Sequence, residues 1–174
     1  RSLLATISYA VPAGQAGNQN FGGSLGMDFT VNSPITVTDL GAFDANSNGI
    51  SGTINVRLYD RTAPGAPLAS AAFTGAAQQL FGGSRFSPIA ALNLPAGFQG
   101  RIVADGYNAA ELNGNGGPWT TNTGGGALTF TGGGFFDVSP GVYPNNGDGG
   151  PANRYAAGTF AFVPQTLTTT YADD

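Results

Sequence analysis

The stretch Ile35 to Asp60, ITVTDLGAFDANSNGISGTINVRLYD, limits what this chain can fold into more than any other. Ile35 and Val37 alternate with Thr36 and Thr38, and Ile54, Val56 and Leu58 alternate with Thr53, Asn55, Arg57 and Tyr59. A period of two sends every second side chain to one face, so both ends read as half-buried β-strands. Between them lies Asp44-Ala-Asn46-Ser-Asn48-Gly49, rich in side-chain oxygens and closed by a turn residue. Strand, Asx-rich loop and strand make a scaffold before they make a site.

The rest of the chain repeats the theme. Leu3, Ala5, Ile7, Tyr9 and Val11 alternate with Ser2, Leu4, Thr6, Ser8 and Ala10, and further short runs lie at Met27–Val31, Leu68–Phe73, Phe86–Leu94, Arg101–Tyr107, Leu128–Phe130 and Phe160–Phe162. Leu167, Thr169 and Tyr171 mark a final run. The 29 glycines and 11 prolines punctuate these runs and disfavour long helices. Pro-Gly turns such as RTAPGAP cannot continue a ladder. Gln78–Ser84, Asn108–Gly126 and Ser139–Asn153 read as irregular, and Gly132-Gly133-Gly134 reads as a strand break. Roughly ten short antiparallel strands with long Gly/Asn loops predict an all-β fold, a single β-sandwich of jelly-roll type over 1–174. A chain of 174 residues with 12 Phe can bury a core of that kind.

Composition excludes several functions. Only 9% of residues are charged, all six cations are Arg, and the net charge is −4. That offers no basic field to a phosphate backbone or an anionic membrane surface. No apolar run reaches the ~20 residues that would span a bilayer. With no Cys and no His, the common nucleophilic triads, disulfides and zinc sites are ruled out. An Arg1 start and a Gly/Thr/Asn/Ser bias predict a mature, secreted chain.

Four segments, ITVTDLGAFDANSNGI, NVRLYDRTAPGAPLASAAF, LPAGFQGRIVADGYNAAELNGNG and DGGPANRYAAGTFAF, occur in an order that resembles a family of secreted bacterial β-sandwich domains. Members are often found in exported proteins with a PEP-CTERM-type sorting signal. The resemblance covers much of Ile35 to Phe162. It implies an extracellular or cell-surface sandwich with matrix or biofilm roles and no shared catalytic residues.

Candidate sites follow from residue chemistry. A two-carboxylate glycosidase would have to use Asp105 and Glu111, but Glu111 sits in a Gly/Asn loop that predicts a solvated acid, so the chain reads as non-enzymatic. Asp44, Asn46 and Asn48 match the first half of a calcium loop, although the twelfth position is Asn55 where a bidentate Glu is needed. The competing reading is an Asx-rich hairpin loop bonded to its own backbone. Trp119 with Asn113 and Asn115, and Tyr107 or Tyr143 nearby, has the composition of a glycan site; otherwise Trp119 caps the core. An Asp148–Arg154 pair would tie down the last loop.

The expected function is a non-enzymatic structural subunit of an extracellular filament, sheath or biofilm matrix. Residues 1–11 would pair with their own sheet or complete that of a neighbouring copy through Leu3, Ala5, Ile7, Tyr9 and Val11. The alternative is a carbohydrate-binding or adhesive module. The partner is then another copy or an extracellular polysaccharide. No cofactor is required, and calcium in the Asp44 loop is the one candidate ion.

Overall fold

The computed structural model describes residues 3–165. Thirteen strands run in chain order: β1 Thr6–Ile7, β2 Tyr9–Ala10, β3 Ser24–Val31, β4 Ile35–Phe43, β5 Ile50–Asp60, β6 Ala69–Gly75, β7 Gln79–Phe81, β8 Ser84–Leu94, β9 Gln99–Asp105, β10 Thr120–Thr121, β11 Leu128–Asp137, β12 Asn146–Gly149 and β13 Gly158–Pro164. Among the described residues the one helical element is a 3-10 turn at Ala45–Ser47. A five-stranded sheet has the order β1-β13-β4-β8-β7, a six-stranded sheet has β12-β11-β3-β9-β5-β6, and β2 pairs with β10. Every pairing is antiparallel. The fold is an all-β sandwich. Among the described residues no helix is long and apolar enough to cross a membrane.

The alternation in the opening stretch produces this core directly. Ile35, Val37 and Leu40 of β4 and Ile54, Val56 and Leu58 of β5 are fully buried, and they share one cluster with Met27, Phe29, Phe73, Ile102, Phe160 and Phe162. The chain passes from one sheet to the other through the Asx-rich loop between β4 and β5.

Elsewhere the structure departs from the sequence reading. Leu3–Val11 forms two short strands instead of one. β1 lies beside β13, with Thr6 opposite Phe162 and Ile7 opposite Ala161, and β2 leaves that sheet to pair with β10. Ser8 makes the break: its hydroxyl donates to Phe160 O at 2.8 Å, while the Thr159 hydroxyl donates to Tyr9 O at 2.8 Å. Tyr9 and Val11 are buried in this chain's own core. Gly132–Gly134 produces a register shift inside β11, which continues to Asp137. Gln78–Ser84 contains β7 and a hairpin to β8, and Asn145–Gly149 supplies β12. The predicted run at Leu167–Tyr171 lies outside the described residues.

A strap covers the outer face of the six-stranded sheet. The connection from β11 to β12 folds back so that the Tyr143 ring meets Tyr59 edge-on at 5.2 Å, and Gly141 N donates to Asp105 Oδ2 at 3.0 Å. Beneath it Arg101 binds Asp28 through two hydrogen bonds of 2.6 and 3.0 Å and donates to Pro144 O. The guanidinium also stacks 3.6 Å from the centre of the Phe135 ring. Asp28 and Arg101 point away from the core, yet the strap buries both.

Candidate functional site

The carboxylates expected as a pair are apart in role. Asp105 is bound by Arg57 Nη1 at 2.5 Å, by Asn55 Nδ2 at 3.4 Å and by Gly141 N under the strap. Glu111 is not solvated, as its loop suggested, but buried. Its Oε1 accepts from Ser51 N at 3.1 Å, and a backbone hydrogen bond from Ala45 helps to hold it. Burial pushes its pKa up to about 7, and the Asp44 carboxylate adds to the rise.

The Asp44 loop divides its oxygens. Asp44 is fully buried and its Oδ2 accepts from Arg85 Nε and from Gly49 N, both at 2.9 Å, whereas Asn46 and Asn48 are exposed. The Arg85 guanidinium supplies beside Asp44 the positive charge that a cation would bring. Among the described residues no three acidic, His or Cys side chains gather where they could hold a metal. Asn46 takes a left-handed φ of 64°, a conformation Asn tolerates better than most residues.

The aromatic residues of the glycan reading are committed elsewhere. Trp119 is half-buried and packed against the core, with its backbone N–H donating to Asn153 O and its own carbonyl accepting from Asn153 Nδ2. Tyr107 is buried and donates to Phe43 O at 2.9 Å. Tyr143 belongs to the strap. Asn113 is buried and donates to Gln19 Oε1 at 3.0 Å.

Asn115 does reach a pocket. A cavity of about 150 Å³ is lined by Gln19, Phe21, Leu25, Asn115, Phe136 and Asp148. Leu25 of β3 is the register partner of Phe136 of β11, so both side chains stand on the same face of that sheet. Phe21 meets Phe136 edge-on, with ring centres 6.0 Å apart. β12 brings Asp148 alongside. Two glycines of β11 permit that approach: a Cβ on Gly133 would lie 2.3 Å from the Gly149 backbone, and one on Gly134 would lie 2.6 Å from the Tyr155 ring.

The polar lining is held from outside the cavity. Asp148 Oδ2 accepts from the Tyr155 hydroxyl at 2.6 Å and faces Arg154 Nε at 3.2 Å, so the expected Asp148–Arg154 pair is present. Arg154 Nε also donates to Asn115 Oδ1 at 2.8 Å, and Nη1 donates to Gly150 O. Asn18 clamps the Asn115 backbone, accepting from its N–H at 2.7 Å and donating to its carbonyl at 3.0 Å. Burial and Asp148 push the Tyr155 hydroxyl far above its ordinary range, so it remains a donor throughout the accessible pH range. What is left for a visitor is Asp148 Oδ1 as acceptor and the Asn115 and Gln19 amide nitrogens as donors.

Comparison with protein-family models, curated proteins and solved structures finds no match. The site must therefore be read from its own chemistry. Phe21, Phe136 and Gln19 carry much of that chemistry, and the sequence reading passed over them. Phe21 had a signal: it is a lone large ring in the polar stretch Gly14–Gly23. Phe136 had none, because the glycine run Gly132–Gly134 read as a strand break and left Phe136 outside any expected strand.

Proposed function

We propose that this protein is a non-enzymatic extracellular binding module whose pocket at Phe21, Phe136, Asn115 and Asp148 holds a sugar ring at the end of a glycan. One observation carries the reading. Two aromatic rings converge with a carboxylate and a primary amide whose orientations are fixed by Arg154, Tyr155 and Asn18. Rings offer apolar surface to the C–H face of a sugar, and fixed planar polar groups address its hydroxyls. The cavity is smaller than the ~300–1,000 Å³ of sites that enclose drug-sized ligands, which suits one ring.

Assembly by strand exchange, the function favoured from sequence, has less support. Its donor segment is Leu3–Val11, and here that segment hydrogen-bonds to β13 and β10 and buries Tyr9 and Val11. The extracellular setting rests on the composition and on the family resemblance.

Phe21→Ala tests the reading by removing one ring from the loop side of the pocket. Retention on immobilised polysaccharides should fall by roughly tenfold or more, the usual weight of a ring in a recognition site, with the elution volume unchanged. Retention equal to that of the parent protein on every polysaccharide bound would overturn the site assignment.

A further inference from the structure

The pocket also carries a charge selection. We infer that it accepts the uncharged end of a glycan and rejects a uronic acid end, an inference that rests on the sugar-binding reading above. Among the described residues Asp148 is the only charged one lining the cavity. Its Oδ2 is occupied by Tyr155 and Arg154, which leaves Oδ1 as the acceptor that a hydroxyl can meet. A sugar carboxylate has no proton to give at neutral pH and would stand against Asp148 as a like charge.

Arg154 does not rescue such a ligand. It is absent from the lining, and its Nε and Nη1 are spent on Asn115 Oδ1, Asp148 Oδ2 and Gly150 O. The chain's net charge of −4 adds no attraction for an anion. The donors facing the pocket, on Asn115 and Gln19, are neutral amides that serve a hydroxyl oxygen as readily as a carboxylate. The discrimination therefore sits on Asp148. Because its orientation is set by Tyr155 and Arg154, these two act as positioning residues.

The test uses the full chain and matched sugar pairs that differ only at C6: glucose with glucuronate, galactose with galacturonate, mannose with mannuronate. Binding is followed by ¹H–¹⁵N spectra, which report folding in the same measurement. The expected result is saturable shifts at the Gln19, Phe21, Asn115 and Phe136 amides for at least one neutral sugar, with its uronate at least tenfold weaker. Asp148→Asn should weaken the neutral sugar by roughly 10- to 100-fold, the range for a hydrogen bond to a charged group, and narrow the gap to the uronate. If Asp148→Asn fails to fold, the same gap is read in the parent protein at pH 3 and pH 7, since protonating the uronate should close it. A uronate that binds as well as its neutral partner overturns the selection and leaves the sugar site standing. Absence of binding by all six sugars and by neutral oligosaccharides overturns the sugar site, and the selection with it.

Discussion

Glu111 is the only glutamate in the chain, and it is 2% exposed. Ser51 and Ala45, far away in sequence, bring their N–H groups to it, and Tyr107 and Asp44 stand close enough to interact electrostatically. Its pKa rises from 4.5 to about 7, so the folded protein keeps the proton over a range in which the unfolded chain has released it. A raised acid pKa makes stability highest below about pH 4.5 and erodes it as pH climbs toward 7. The loss from this residue is at most about 3 kcal/mol, at 1.36 kcal/mol per unit. Glu111→Gln should flatten the slope of unfolding free energy between pH 4.5 and 7, measured by urea denaturation at several pH values. An unchanged slope would mean that Glu111 is not the titrating group. None of this was legible from Asn108–Gly126 itself. The loop is polar, and its acid is buried only because the β4–β5 turn folds against it.

The strap between β11 and β12 is where burial contradicts the pattern of an element. Gly26, Asp28 and Thr30 alternate with the core residues of β3 and should face water, yet Asp28 is 4% exposed because Tyr143 and Pro144 lie over its partner Arg101. A Cβ on Gly26 would come within 3.0 Å of the Pro144 ring, so the strap sits tightly on the sheet. Arg61 Nη1 approaches the same carboxylate at 3.6 Å. Asp28→Asn would leave a buried guanidinium without its charge partner and should destabilise the fold by roughly 3 kcal/mol, read from the urea midpoint. A loss below about 1 kcal/mol would show that Phe135, Tyr143 and Pro144 O hold Arg101 unaided. β4, β5 and β13 were readable because branched and aromatic residues alternate along them. β12 and the second half of β11 were not, because glycine has little intrinsic strand preference and long-range pairing makes them strands, Gly134 with Gly149 and Phe135 with Gly147 on one side of β11 and Gly134–Asp137 with Ser24–Met27 of β3 on the other.

At the scale of the whole molecule, the four edges of the two larger sheets, among the described residues, bear on whether copies can join through their backbones. β1, β7 and β12 are edges of two, three and four residues, too short to template a long pairing. The fourth edge, β6, has seven residues, no charge and no proline. There the Gln78 side chain acts as a substitute strand: its Nε2 donates to Ala72 O and its Oε1 accepts from Thr74 N, both at 3.3 Å. Where β8 runs on past β7, Pro88 removes a donor. Edges this short or blocked offer little template for backbone pairing between copies, and the N-terminal segment fits the same logic. Tyr9 packs edge-on against Phe130 at 4.9 Å and Phe160 at 6.3 Å, and the Ser8 and Thr159 hydroxyls donate to Phe160 O and Tyr9 O. Truncating a buried aromatic of this kind costs about 3–5 kcal/mol by itself. Deleting the chain through Val11 removes Tyr9, Val11 and the partners of β10 and β13 together, against a total stability of only about 5–15 kcal/mol. The expected product unfolds without a cooperative thermal transition by circular dichroism. Strand exchange between copies predicts the reverse, a folded monomer freed from its polymer. A truncated chain with a sharp transition and a monomeric mass by light scattering would therefore restore the assembly reading and mean that β1 and β2 fill a gap any copy's segment can occupy.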